Sequence, residues 1–121
     1  MSAINCFEDL EIWKLARELN KMIFQITEKS KLIVGGYIIR NQVLRSSGSI
    51  MDNIAEGFER EGNKEFIQFL YIAKGSAGEV RSQLYRLLDY CYISLDEFEK
   101  NTELVSVRAR HGAWLGERRG R

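Results

Sequence analysis

Apolar residues recur along the chain at the three- and four-residue spacing of amphipathic α-helices. This period predicts helices that each bury one face. Since helices joined by short turns pack antiparallel, we expect an all-α protein folded as an antiparallel up-down four-helix bundle. The predicted helical segments cover about residues 8–27, 37–56, 64–91 and 95 onward.

Residue types that are typical of helix caps occur at the ends of these segments. Gly57 follows the second segment and is predicted to be its C-terminal cap. Asn63 precedes the third segment and is predicted to be its N-cap, with Ser94 or Asp96 in that role for the fourth. We therefore expect short connections between neighbouring helices of the bundle.

Small and polar residues interrupt the apolar stripes of the second and third segments. Gly75 and Gly78 lie in mid-helix, where each glycine costs about 1 kcal/mol relative to alanine. Close approach of these two helices is the expected compensation, with the polar side chains hydrogen-bonded across the pair. A ligand-binding or catalytic role and a subunit interface are the alternatives. The predicted structural polar network comprises Ser49, Asn53, Glu56, Ser76 and Glu79.

Composition fits a helical chain and argues against several kinds of catalytic site. The chain has no proline, which costs about 3 kcal/mol inside a helix. Its cysteines and histidine, Cys6, Cys91 and His111, are too few and too scattered for a zinc site, which needs about four ligands. We expect no metal, no cofactor and no catalytic residues, and we predict that the protein is not an enzyme.

The N-terminus and the hydropathy of the chain predict where the protein is found. No apolar run reaches the roughly 18 residues of a membrane-spanning helix, so we expect no membrane partner. The first residues lack the basic and apolar regions of a signal peptide. A cytoplasmic protein with reduced thiols is therefore expected.

The formal net charge of +1 is the sum over two segments of opposite net charge. Residues 1–107, the predicted bundle domain, carry −3, whereas residues 108–121, a basic tail with three glycines that is not typical of a helix, carry +4. Arginine pairs with phosphates and Trp114 can stack on bases, so an RNA-contacting tail is one interpretation. A terminus without a specific role is the other. The tail arginines predicted to bind nucleic acid are Arg108, Arg110, Arg118, Arg119 and Arg121.

A second basic stripe lies on the first helix. Lys14, Arg17 and Lys21 follow each other at helical spacing and are also candidates for nucleic-acid binding. Glu11 and Glu18 are interleaved with them, so a solvated face with ion pairs one turn apart is the alternative.

Two motifs resemble those of a known protein family. Residues 47–58 read SGSIMDNIAEGF, and residues 65–79 read EFIQFLYIAKGSAGE. The first resembles the Ser-Ile-x-x-Asn-Ile-Ala-Glu-Gly pattern of bacterial four-helix-bundle proteins encoded by intervening sequences within 23S rRNA genes. The resemblance spans about residues 7–105. The opening of the chain also resembles this family through Phe7, Leu10, Trp13 and Ala16.

The resemblance implies a fold, an assembly and a function. It implies an antiparallel four-helix protomer and a homopentamer arranged as a barrel around a central channel. A related branch is the accessory variability determinants of diversity-generating retroelements, which bind RNA and DNA and partner a reverse transcriptase. We therefore expect a non-enzymatic oligomer that binds RNA or DNA. A protein–protein adaptor or scaffold without a nucleic-acid role is the alternative.

Overall fold

The structure, a computed structural model, describes residues 4–28, 35–60 and 62–110, with side chains described up to residue 105. A short 3-10 helix, Phe7–Asp9, precedes four α-helices, and no strand occurs in these ranges. This confirms the prediction of an all-α four-helix protein. The α-helices are α1 (Glu11–Ile26), α2 (Gly36–Glu59), α3 (Asn63–Asp89) and α4 (Leu95–Arg110).

The four helices enclose one apolar core. Helix α2 packs along α3, and α1 and α4 close the bundle against them and against each other. Phe66 is fully buried and meets the ring of Phe58 edge-on, with centroids 5.9 Å apart. Burial of such faces provides most of the stability of short helices. Further fully buried core residues are Leu10, Ile23, Val43, Ile54, Leu70, Val80, Leu84 and Leu87.

Gly57 lies inside α2 and is not the cap that the sequence predicted. The helix continues to Glu59, and Arg60 is its C-terminal cap. A side-chain carbon on Gly57 would lie 2.6 Å from Cβ of Phe69 on α3. The glycine is therefore required for close approach of α2 and α3, and the predicted end of α2 was wrong for this reason.

Gly75 and Gly78 do not mediate the close approach that the sequence predicted for them. Both are exposed, and a Cβ atom on either would have no described atom of another residue within 4 Å. Their neighbours Ser76 and Ala77 face the interior instead. The helical period explains this difference. Gly75 and Gly78 are three residues apart and share the outer side of α3, whereas Ser76 and Ala77 between them lie on the inner side.

The ends of α3 also differ from the predicted ones. Gly62 is the N-cap, and its carbonyl accepts a hydrogen bond from the Phe66 N–H at 3.1 Å, so Asn63 is already helical. At the other end, Cys91 has a left-handed backbone with φ of 64°. The N–H groups of Cys91 and Tyr92 bond to the carbonyls of Leu88 and Leu87, which is a Schellman motif that ends α3 at Asp89.

The start of α4 confirms one of the two predicted caps. Ser94 Oγ accepts a hydrogen bond from the Glu97 N–H at 3.1 Å, and Glu97 Oε1 accepts one from the Ser94 N–H at 2.8 Å. This reciprocal pair is a capping box. The helix then runs to Arg110, three residues past the predicted bundle boundary at residue 107. Residues 111–121 of the predicted tail lie outside the described residues.

Candidate functional site: a polar groove between α2 and α3

Three of the predicted network residues meet where α2 and α3 cross. The hydroxyl groups of Ser49 and Ser76 are 2.9 Å apart, within hydrogen-bonding distance. Asn53 Nδ2 donates to the Ser49 carbonyl at 2.8 Å and to its hydroxyl at 2.9 Å. These bonds satisfy half-buried polar groups that would otherwise cost free energy. The Ser49–Ser76 bond ties the middle of α2 to the middle of α3, and the two Asn53 bonds hold Ser49 within α2.

The two carboxylates predicted for this network lie outside it. Glu56 is exposed and accepts a hydrogen bond from Arg60 Nη2 at 3.0 Å, one turn along α2. Glu79 is also exposed. Because an ionised carboxylate is costly to bury, the position of both groups at the surface is the favourable one. The network is therefore made by neutral side chains alone.

An open groove of about 330 Å³ runs beside this network. Its walls come from both helices, and every lining residue is polar or charged. Ser46 Oγ donates to the Gln42 carbonyl at 3.1 Å, so this hydroxyl group lies against the backbone of α2. The lining residues are Gln42, Arg45, Ser46, Ser49, Glu79, Gln83 and Arg86.

Two arginines and one carboxylate give the groove a formal charge of +1. Arg86 Nη1 donates to Gln42 Oε1 at 3.2 Å, and its guanidinium lies 5.9 Å from the ring centroid of Tyr90. Arg45 and Glu79 form no ion pair within the described ranges. Gln83 Oε1 is buried and has no hydrogen-bond partner among the described residues. The groove therefore contains two charged groups, Arg45 and Glu79, that no ion pair in the described ranges neutralises.

The groove residues missing from the sequence prediction follow the helical period of the predicted ones. Gln42 and Arg45 precede Ser49 by seven and four residues, and Gln83 and Arg86 follow Glu79 by four and seven. Such spacing places residues on one helix face. Extending each stripe by two turns would have identified them, but their meeting in one groove depends on the register of α2 against α3.

The predicted basic stripe of α1 is exposed along one face of the helix. Lys14, Arg17 and Lys21 are all at the surface. Lys14 Nζ is 3.4 Å from a carboxylate oxygen of Glu11, and the Arg17 guanidinium lies 5.8 Å from the Trp13 ring centroid. Part of this positive charge is therefore engaged within the helix itself. The side chains of Arg108 and Arg110 and all of Arg118, Arg119 and Arg121 lie outside the described residues.

The thiols and acidic groups show no metal-ligand arrangement. No three His, Cys, Asp or Glu side chains come together as a possible metal site in the part of the chain that the structure describes. Both cysteines are free. Cys6 Sγ donates to Asp9 Oδ2 at 3.3 Å, and this bond with the nearby negative charge raises the pKa of the Cys6 thiol.

None of the described helices is long and apolar enough to span a membrane.

Comparison with known proteins gives one family match. A model of the family described as 23S rRNA-intervening sequence protein matches residues 8–110. No curated protein matches the chain. The matched range contains all four α-helices and ends at the last residue of α4. It includes Arg108 and Arg110 and excludes the last three predicted tail arginines.

Proposed function

The chain belongs to the 23S rRNA-intervening sequence protein family, and on that premise we propose that it is a non-enzymatic helical-bundle protein that self-associates and binds RNA or DNA. Its proposed location is the cytoplasm, where RNA is available as a partner. The alternative is a protein–protein adaptor that assembles in the same way and binds no nucleic acid. The two functions differ in a direct binding test.

The outer face of α3 is the observation that supports self-association most strongly. Tyr71 and Ile72 are 58% and 52% exposed, and Gly75 and Gly78 follow them along the helix with open space beside them. Exposed apolar side chains that cluster mark interaction surfaces. Two mid-helix glycines beside which no other described residue packs are explained if a helix of another protomer packs closely there. A homopentamer is the assembly that we propose.

Nucleic-acid binding is supported by the surface arginines and lysines. Lys14, Arg17 and Lys21 are exposed on α1, and the chain ends in a segment with a net charge of +4. In a ring of five copies this segment would contribute about +20. Neutralisation of phosphates by such charge releases counterions and makes binding steeply salt-dependent.

Filter binding of a structured RNA at low and at moderate salt tests the nucleic-acid part of the proposal. We expect binding at low salt and a large loss of affinity at the higher concentration. Negligible binding at both concentrations would contradict it and favour the adaptor.

Light scattering of the protein alone tests self-association. We expect a mass several times that of the 14.0 kDa chain. The variant Gly78→Arg places a bulky charge on the open face of α3 and should lower this mass while circular dichroism stays unchanged. Asp52→Ala, an exposed change on α2, is the control. A wild-type protein that is monomeric at all concentrations would contradict the assembly.

A further inference from the structure

The polar groove between α2 and α3 has chemistry that the bundle itself does not use. Its serines are satisfied: Ser46 bonds to a backbone carbonyl, and Ser49 bonds to Ser76. Its other lining residues, which come from both helices, are Gln42, Arg45, Glu79, Gln83 and Arg86. A volume of about 330 Å³ is at the lower end of the range of about 300–1,000 Å³ that is typical of ligand pockets.

The two arginines of the groove are suited to an anion. Arg45 comes from α2 and Arg86 from α3, so an anion between them would be held by both walls. Guanidinium groups bind phosphate through paired, charge-assisted hydrogen bonds. Arg45 has no ion pair with any described residue, and Arg86 is held by a neutral amide, so both charges remain available.

The acceptors of the groove exclude a simple anion as its best ligand. Glu79 lines the same groove and would repel a phosphate placed against it. Gln83 Oε1 has no hydrogen-bond partner among the described residues, but it is buried and therefore out of reach of a ligand in the open groove, so Glu79 is the acceptor that a ligand meets. The groove therefore fits a ligand that has an anionic group at one part and N–H donors at another.

We propose that this groove binds one nucleotide of a single-stranded nucleic acid, with its phosphate on Arg45 and Arg86 and the N–H groups of its base on Glu79. This inference rests on the proposed nucleic-acid-binding function and names its site. Unpaired bases expose their hydrogen-bonding edges to proteins in this way. Guanine is the preferred base, because its adjacent ring N–H and amino donors match the two oxygens of a carboxylate.

Fluorescence polarisation with the short labelled RNAs UUGUU and UUUUU at low salt tests the site. Arg45→Ala and Arg86→Ala should each weaken the binding of UUGUU about tenfold, since each removes a charge-assisted contact. Arg81→Ala removes an exposed arginine of α3 outside the groove and is the matched control, with an expected change below about twofold. Circular dichroism and thermal melting verify that all variants keep the fold.

Glu79→Ala tests recognition of the base separately from recognition of the phosphate. The wild-type protein should bind UUGUU more tightly than UUUUU. The variant should lose this preference and should bind UUUUU at least as well as the wild type, because a negative charge has been removed. An unchanged preference for UUGUU in the variant would overturn the assignment of Glu79.

The outcomes separate this site from the proposed function. If the wild type binds RNA and the groove arginine variants bind it equally well, the groove assignment is overturned and nucleic-acid binding stands. If the wild type binds neither the short RNAs nor a structured RNA at low salt, both are overturned. If it binds only structured RNA, the single-stranded site is overturned alone.

Discussion

Gly57 of α2 lies so close to Phe69 of α3 that a side-chain carbon on the glycine would be 2.6 Å from the phenylalanine Cβ. This contact sets the distance between the two helices that carry the polar network and the groove. The antiparallel register is visible in three pairs along the same helices: Gly57 with Phe69, Ser49 with Ser76, and Gln42 with Arg86.

Substitution of Gly57 by alanine should destabilise the fold. Alanine is the better helix former by about 1 kcal/mol, but the clash with the backbone-proximal Cβ of Phe69 forces the helices apart. Overpacking of this kind costs about 1–3 kcal/mol, so we expect a net loss of about 1–2 kcal/mol. Chemical denaturation of Gly57→Ala against wild type measures this loss, and an equally stable variant would show that α2 and α3 pack less closely than described.

Gly75→Ala should have the opposite effect on protomer stability. A Cβ atom at this exposed position meets open space, so only the helix propensity changes. We expect a gain of about 0.5–1 kcal/mol. Denaturation is measured at protein concentrations where light scattering finds the protomer alone. A loss of stability under those conditions would mean that Gly75 is packed against part of the protomer.

Cys91→Gly should also stabilise the protein. Cys91 is held at φ of 64°, a left-handed conformation that costs an L-residue about 1–2 kcal/mol and glycine little. We expect a rise in the free energy of unfolding of about 1 kcal/mol. Cys91→Ser retains the strain and removes only the thiol, so it serves as the control. Equal stabilities of the two variants would argue against the left-handed turn.

The reactivity of Cys6 should depend on Asp9. The hydrogen bond to the Asp9 carboxylate raises the pKa of the thiol, so less thiolate is present at mildly alkaline pH than for an ordinary cysteine. In a Cys91→Ser background, Asp9→Asn should therefore speed alkylation of Cys6. The difference in alkylation rate between the two proteins should shrink at higher pH, where the Cys6 thiol is ionised in both. A rate that is the same in both proteins across this pH range would rule out the interaction.

The helices were predictable because their signals are local. The apolar period located all four α-helices, and the capping residue Ser94 was recognisable from its side chain and its place before an apolar run. The role of Gly57 was not predictable in this way, because a glycine after an apolar stripe is typical of a cap. Its actual role depends on Phe69, which lies on another helix.

The candidate site was predictable only in part for the same reason. Ser49, Asn53 and Ser76 have side chains that are unusual on the inner part of a helix, so their meeting could be anticipated. Glu79 was expected among them, but it lies three residues beyond Ser76 and about 60° away around α3, so it lines the groove and is not part of the network. Arg45 and Arg86 look like ordinary surface charges until the register of α2 against α3 brings them together.

We propose that this member of the 23S rRNA-intervening sequence protein family self-associates and binds nucleic acid. Light scattering of the purified full chain, alone and mixed with a structured RNA at low salt, measures both properties together. We predict a mass several times 14.0 kDa for the protein alone and a larger, salt-sensitive mass for the mixture. A single-chain mass that RNA leaves unchanged would contradict the account.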